Sequence, residues 1–147
     1  MQPLTDVLTR RIRERGYRLT RQRQVVLEEL SSVDTHPRAD QIYQMVRRRI
    51  PNVSFGTIYR NLKTLEELGL IAEIQYGTRS SRFDANVASH HHFVCRKCEK
   101  IIDVDAIPAP DFESSGLRQM GYQVQEYQLQ LVGLCPSCKK REPEILR

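Results

Sequence analysis

"NVSFGTIYRNLKTLEELGLIAEIQYGTRSSRFD", Asn52–Asp84, is the stretch on which the fold turns. Ser54 is placed to N-cap a helix, since its hydroxyl can accept a backbone N–H of the first turn. Ile58, Leu62, Leu65 and Leu68 then recur at spacings of three and four, which gathers them on one stripe. Gly69 follows as a left-handed stop. Thr57, Tyr59, Arg60 and Lys63 fall on the opposite face. Two β-prone runs, on either side of Gly77-Thr78-Arg79-Ser80-Ser81, read as a hairpin.

Upstream, Leu4 to Arg15 forms a short amphipathic helix with Leu4, Leu8 and Ile12 in register. "GYRLT" breaks it, and Thr20 can cap a second helix to about Ser31, with Val26, Leu27 and Leu30 inward. "VDTHPRAD" is a connector. A third helix runs to about Arg49 with Ile42, Tyr43 and Val46 on one face. Three helices, a fourth with a basic outer face and a hairpin give the order of a winged helix-turn-helix. In that design one helix enters the major groove while flanking groups grip phosphate.

The charge distribution points the same way. Residues 1–82 hold 15 Lys+Arg against 9 Asp+Glu, whereas residues 83–147 hold 8 against 9. The basic part is almost all Arg, with Lys63 its one lysine, and guanidinium forks match phosphate. A basic face can also simply keep a helical domain soluble. The DNA reading assigns Thr57, Tyr59, Arg60 and Lys63 to the groove, Arg21 and Arg23 to phosphate, and Arg79 to the wing. Residues 1–83 form the DNA-binding domain on this reading, and residues 84–147 a second, β-rich domain. There "HHFVC" and "KIIDVDA" read as strands, "DFESSGLRQMG" as a helix and "YQVQEYQLQLVGLC" as a long strand.

All four cysteines lie in that second part, as Cys95-x-x-Cys98 and Cys135-x-x-Cys138 with 36 residues between the pairs. Four thiolates at this spacing suit tetrahedral zinc, and a closed site of that kind leaves no position for a substrate. A redox pair or a disulfide is the competing reading. The pairs sit on β-like segments rather than at a helix start, which counts against redox chemistry. Neither an apolar leader nor an apolar run of membrane-spanning length occurs, so the expected location is the cytoplasm, where disulfides are rare.

The histidines carry a second argument. Strand side chains alternate, so His90 and His92 share a face while His91 points the other way. Asp84 ends the wing, and Asp103 lies on the next strand, within reach if the two strands pair. A His/Asp donor set suits Fe²⁺ or Mn²⁺ better than thiolate does. A fortuitous run of surface histidines is the plain alternative.

Taken in order, "HPRADQIY", "NVSFGTIYRNLKTLEELGLI", "SSRFD", "HHHFVCRKC", "KIIDVD" and "GLCPSC" resemble the ferric uptake regulator family, over about Arg18 to Lys139. Within it the likeness is to the peroxide-responsive repressors. The resemblance implies an α+β fold: a winged helix-turn-helix followed by a small α/β dimerisation domain with a structural zinc site. It implies one Zn²⁺ per subunit on Cys95, Cys98, Cys135 and Cys138. It also implies one regulatory Fe²⁺ or Mn²⁺ per subunit on His36, Asp84, His90, His92 and Asp103. Iron-responsive members usually carry Glu at the two Asp positions. A homodimer on a palindromic double-stranded operator is expected, with His36 and His90 sensitive to oxidation. An iron- or manganese-responsive uptake regulator without peroxide sensing is the alternative. Many members also place a His where this chain has Glu126, Tyr127 and Gln128, so a further metal site is not expected, and His91 is assigned to the surface.

An enzyme is the rival from another class. Zinc deaminases combine His-x-Glu with Pro-Cys-x-x-Cys, but this chain has no His-x-Glu, and Pro136 lies inside the Cys pair. Four thiolates also deny zinc the open position that hydrolysis needs. Neither a small organic substrate nor a membrane partner is expected. A DNA-binding module with an inert His cluster remains the nearer rival.

Overall fold

The structure is a computed structural model and describes residues 4–75, 80–88, 90–105, 107–108, 111–112 and 115–141. The chain divides into two compact units, residues 1–87 and 88–147. The division falls after Val87, so Asp84, with which the second domain was expected to open, sits inside the first unit.

In the first unit, α1 (Leu4–Glu14), α2 (Arg21–Ser31), α3 (Ala39–Arg47) and α4 (Phe55–Glu67) precede an antiparallel pair, β1 (Ala72–Ile74) and β2 (Arg82–Asp84). Local chemistry sets the boundaries. Thr20 Oγ1 accepts the Arg23 N–H at the start of α2, and Ser54 Oγ accepts the Thr57 N–H at the start of α4. α4 ends where Gly69 takes φ +69°. Gly69 N–H then donates to Glu66 C=O and Leu70 N–H to Leu65 C=O, satisfying carbonyls that the helix leaves open. Ile12, Val26, Leu30, Ile42, Val46, Ile58, Leu62, Leu65 and Phe83 are buried together, so the stripe read from α4 faces a core that all four helices and β2 share.

The second unit is built on a three-stranded sheet in the order β4 (Ile101–Val104), β3 (His91–Cys95), β5 (Gln130–Gly133). β3 is antiparallel to β4 and parallel to β5. A one-turn helix, α5 (Pro136–Lys139), follows. Val94, Cys95, Ile101 and Cys138 are buried here, a core far smaller than the first unit's.

Two expectations fail in this unit. Among the described residues of the span 111–121 no α-helix forms: Ser115 is a 3-10 residue and 116–121 make successive turns, with Gly116 at φ +82° and Gly121 at φ +88°. Met120 N–H reaches the Gly116 carbonyl, but glycine in the left-handed region at both ends limits the segment to about one turn. The long strand expected over 122–135 contracts to Gln130–Gly133, because residues 122–129 make no ladder with the described strands.

Candidate metal centres and nucleic-acid interface

The cysteines come together through strand register. In the parallel β3–β5 pair Cys95 lies opposite Gly133, two residues before Cys135. A Cβ at Gly133 would stand 3.3 Å from the Phe93 ring, so glycine allows this close approach. Glu99, in the left-handed region at φ +61°, donates its N–H to Cys95 C=O and turns the chain back at the first pair. Cys135 caps α5 and brings Cys138 inward. All four sulfurs lie within 4.8 Å of one another, and Cys98 and Cys135 Sγ are 3.7 Å apart. That is nearly twice a disulfide bond length of about 2.05 Å. It matches the edge of a sulfur tetrahedron around Zn²⁺ with bonds of about 2.3 Å.

The thiols differ in a way that a cation would resolve. Backbone N–H groups, first that of Cys98 and then that of Cys135, hold Cys95 at about 6 despite burial. Cys135 is also lowered, chiefly by the Cys138 N–H. Burial and the three neighbouring sulfurs push Cys138 up to about 12. Four thiolates cannot gather here on their own account, and a divalent cation supplies the missing charge.

The imidazoles and carboxylates occur as two sets. In the first unit His36 Nε2 lies 3.2 Å from Asp84 Oδ2, and both side chains are buried. Backbone stitching aligns them: Phe83 N–H donates to Pro37 C=O, and Arg82 Nη1 donates to His36 C=O. His36 adopts φ +53°, a conformation that costs a non-glycine residue about 1 kcal/mol or more and that clusters at functional sites. Asn86 N–H donates to Asp84 Oδ1, leaving Oδ2 to face the imidazole.

In the second unit β3 and β4 pair as anticipated, with His92 opposite Asp103. One carboxylate oxygen, Asp103 Oδ1, lies 3.2 Å from His90 Nε2 and 3.3 Å from His92 Nε2, and the two rings stand 4.4 Å apart. The Ala88 carbonyl can only accept, so at 2.6 Å it fixes the His90 proton on Nδ1. His90 Nε2 is the ring nitrogen left to face the Asp103 carboxylate oxygen. A carboxylate oxygen facing two imidazole Nε2 atoms is satisfied by protons on those nitrogens or by a cation in their place, so these residues fit a metal of intermediate hardness.

His91 corrects the surface assignment. It is only 8% exposed, accepts the Leu129 N–H at Nδ1 (3.0 Å) and stacks on the Tyr127 ring at 5.2 Å. Alternation had placed it off the metal face, but it could not show that residues 127–129 would cover the other face of β3.

On α4, Tyr59 and Arg60 are exposed and Thr57 is half-buried. Thr57 Oγ1 bonds Ser54 Oγ (2.8 Å) and accepts from Arg60 Nη2 (3.4 Å). Lys63 is drawn aside by Glu73 on β1, at 2.7 Å. Arg21 is exposed, whereas Arg23 folds back, donating to Arg18 C=O and lying over the Tyr17 ring. Arg79 lies outside the described residues. Phe55 escaped the sequence reading: at the first position of α4 it is 45% exposed, its ring edge-on to Tyr43 and tilted against Tyr59. Its place just after the N-cap was the available signal.

A winged helix-turn-helix joined to a unit with a thiolate cage and convergent imidazoles defines a metal-dependent DNA-binding transcriptional regulator, not an enzyme. Comparison with known proteins agrees. Residues 14–132 match the Ferric uptake regulator family, and the chain belongs to that family. It is 37% identical over 129 residues to the peroxide-responsive repressor PerR of Staphylococcus epidermidis, covering 88% of this chain and 86% of that one. Among solved structures it is similar to the Campylobacter jejuni peroxide stress regulator, with 28% identity, a TM-score of 0.67, and 93% and 100% of the two chains covered. The fold is also that of the Helicobacter pylori ferric uptake regulator Fur, with a TM-score of 0.77, 23% identity and 97% of each chain covered. No helix among the described residues is long and apolar enough to cross a membrane.

Proposed function

We propose that this protein is a peroxide-sensing repressor whose DNA affinity depends on one regulatory Fe²⁺ or Mn²⁺ per subunit. His36 and Asp84 would hold that ion from the first unit, and His90, His92 and Asp103 from the second. The observation that carries the reading is Asp103 Oδ1, set between the Nε2 atoms of His90 and His92, with the His90 Nδ1–H held by the Ala88 carbonyl. The buried His36–Asp84 pair on its strained connector supports the other half. Cys95, Cys98, Cys135 and Cys138 would hold a separate structural Zn²⁺ and take no part in sensing.

An ion shared by ligands from two units favours whichever arrangement of those units satisfies all of them, and that differential affinity is the switch. The repressor would act in the cytoplasm as a homodimer on a palindromic operator. Ile102, Met120, Tyr122, Val124, Leu131 and Val132 are exposed on the small second unit, apolar area that a second copy could cover. Exposed Tyr59 and Arg60 are the foremost base-contacting candidates, with Thr57 beside them and Arg21 on phosphate. Arg79 remains the candidate from the wing.

Ferrous iron, when bound, would activate peroxide so that one of its oxygens leaves as water and the other replaces a carbon-bound hydrogen of an imidazole, with no net change at the iron. His36 and His90, whose rings line the two halves, would take up the oxidation and cease to ligate. Intact-mass analysis of the Fe²⁺ and Mn²⁺ forms after peroxide tests this. Gain of one oxygen atom on a histidine in the Fe²⁺ form alone is expected. An unmodified Fe²⁺ form that still binds its operator would leave a metal-uptake regulator instead. Operator binding indifferent to Mn²⁺ at constant zinc would reduce the chain to a DNA-binding module with an inert His cluster.

A further inference from the structure

The two histidines facing Asp103 are held by partners of different kinds. His90 Nδ1 meets a backbone carbonyl, which only accepts. His92 Nδ1 meets the side-chain amide of Gln128, with the amide nitrogen 3.2 Å away. An amide has a donor end and an acceptor end of nearly the same size, related by a half-turn about its last bond. The sequence around Gln128 holds it there: Leu129 C=O accepts the His92 N–H, Leu129 N–H donates to His91 Nδ1, and Tyr127 stacks on His91. His91 thus anchors the segment that delivers Gln128.

From this geometry we infer that Gln128 is a two-way positioning residue for His92, setting how readily that imidazole passes between its metal-free and its ligating tautomer. The inference rests on the regulatory-metal reading above. With the amide nitrogen toward Nδ1, as here, Gln128 donates, the His92 proton stays on Nε2, and Nε2–H donates to Asp103 Oδ1 at 3.3 Å. To ligate, Nε2 must present its lone pair. The proton then leaves Nε2 and reappears on Nδ1 through solvent. A half-turn of the amide meets it with the carbonyl oxygen, so neither state leaves a polar group unmatched. A carboxylate at this position would accept only and hold His92 in the ligating tautomer. A thioether would support neither form. Outer partners of ligating histidines typically alter metal affinity by roughly 10–100-fold.

The test uses the full chain with its zinc retained, as parent, Gln128→Met, Gln128→Glu and His92→Ala. Mn²⁺ affinity is read from the EPR signal of free Mn²⁺, and the His92 tautomer in Mn²⁺-free protein from long-range ¹⁵N NMR. Gln128→Met should weaken Mn²⁺ binding by about 10-fold or more. Gln128→Glu should bind at least as tightly as the parent and move His92 toward the Nδ1–H form before metal is added. Equal weakening by Met and Glu, or an unmoved tautomer in the Glu variant, would overturn the inference. So would parental affinity in both variants where His92→Ala has lost Mn²⁺. If His92→Ala binds Mn²⁺ normally, the metal reading itself fails and takes this inference with it.

Discussion

Lys63 Nζ lies 2.7 Å from Glu73 Oε2, fastening the exposed side of α4 to the first strand of the wing. Glu73 is nearly buried, and Glu66 adds a longer contact to the same ammonium at 3.6 Å. A lysine held this way is poorly placed to neutralise phosphate. Lys63→Met is therefore predicted to lower operator affinity without changing the slope of log affinity against log salt. A phosphate contact would take about one unit from that slope when removed. Binding isotherms at four or more salt concentrations distinguish the two roles, and a shallower slope would restore Lys63 as a DNA contact.

The same cluster predicts an acid limb. Burial works to raise the Glu73 carboxyl, but hydrogen bonds led by Lys63, with Ser81 and Gln75, outweigh it and hold Glu73 at about 2, against an ordinary value of 4.5. The folded state thus binds fewer protons than the unfolded one in this range. Its contribution is present above about pH 4.5 and is lost as pH falls toward 2. Lys63, raised chiefly by its bond to Glu73, holds its contribution below its ordinary 10.5 and loses it only as pH rises beyond. Urea midpoints followed by the helical signal should therefore fall less steeply for Glu73→Gln than for the parent between pH 4.5 and 2. Acid frees zinc from both proteins, so the difference reports the cluster that Glu73 forms with Lys63 and Glu66; identical curves would show that the cluster contributes nothing to stability.

The first unit was legible because its information is local. Thr20 and Ser54 sit where caps are needed, Gly69 where a left-handed residue is needed, and the α4 stripe repeats at helical spacing. The second unit is organised by distant pairing. Cys95 meets Cys135 through parallel register across a long connection, which no local pattern encodes, although the paired C-x-x-C spacing implied the result. Periodicity over Asp111–Gly121 suggested a helix, and positive φ at Gly116 and Gly121 overrode it. At the metal centre, alternation put His90 and His92 on one face, and strand pairing delivered Asp103. His36 could be named only through family resemblance, since its approach to Asp84 depends on Arg82 and Phe83 bonding the His36–Pro37 backbone. Spacing put Lys63 on the outer face of α4 but could not show its bond to Glu73.

Zinc should hold up the second unit alone. Its described core is a few side chains around the sulfurs of Cys95, Cys135 and Cys138, while the first unit has a full apolar core. Structural zinc contributes roughly 10–16 kcal/mol of apparent binding energy in small metallodomains, more than so small a core supplies. Removing zinc with a strong chelator, or replacing Cys135 by Ser, should abolish amide protection in β3, β4 and β5. Protection across α2, α3 and α4 should persist. Hydrogen exchange read by peptide mass spectrometry checks this, and retained protection in β3 after complete zinc loss would refute it.

Asp103 is the carboxylate to which both second-unit histidines turn, at 3.2 and 3.3 Å. Asparagine keeps its size and one acceptor but removes the charge that balances a divalent cation. Asp103→Asn should therefore lower Mn²⁺ affinity by at least about tenfold, or about 1.4 kcal/mol, with zinc content unchanged. Operator binding should need correspondingly more Mn²⁺, although this residue is assigned no DNA contact. Asp105→Asn, two residues along and exposed, is the control and should match the parent in both measurements. Titration of each variant with Mn²⁺ by calorimetry, followed by operator binding at fixed zinc, gives the comparison. Parental Mn²⁺ affinity in Asp103→Asn would remove this carboxylate from the centre, and a loss shared by Asp105→Asn would point to net charge rather than coordination.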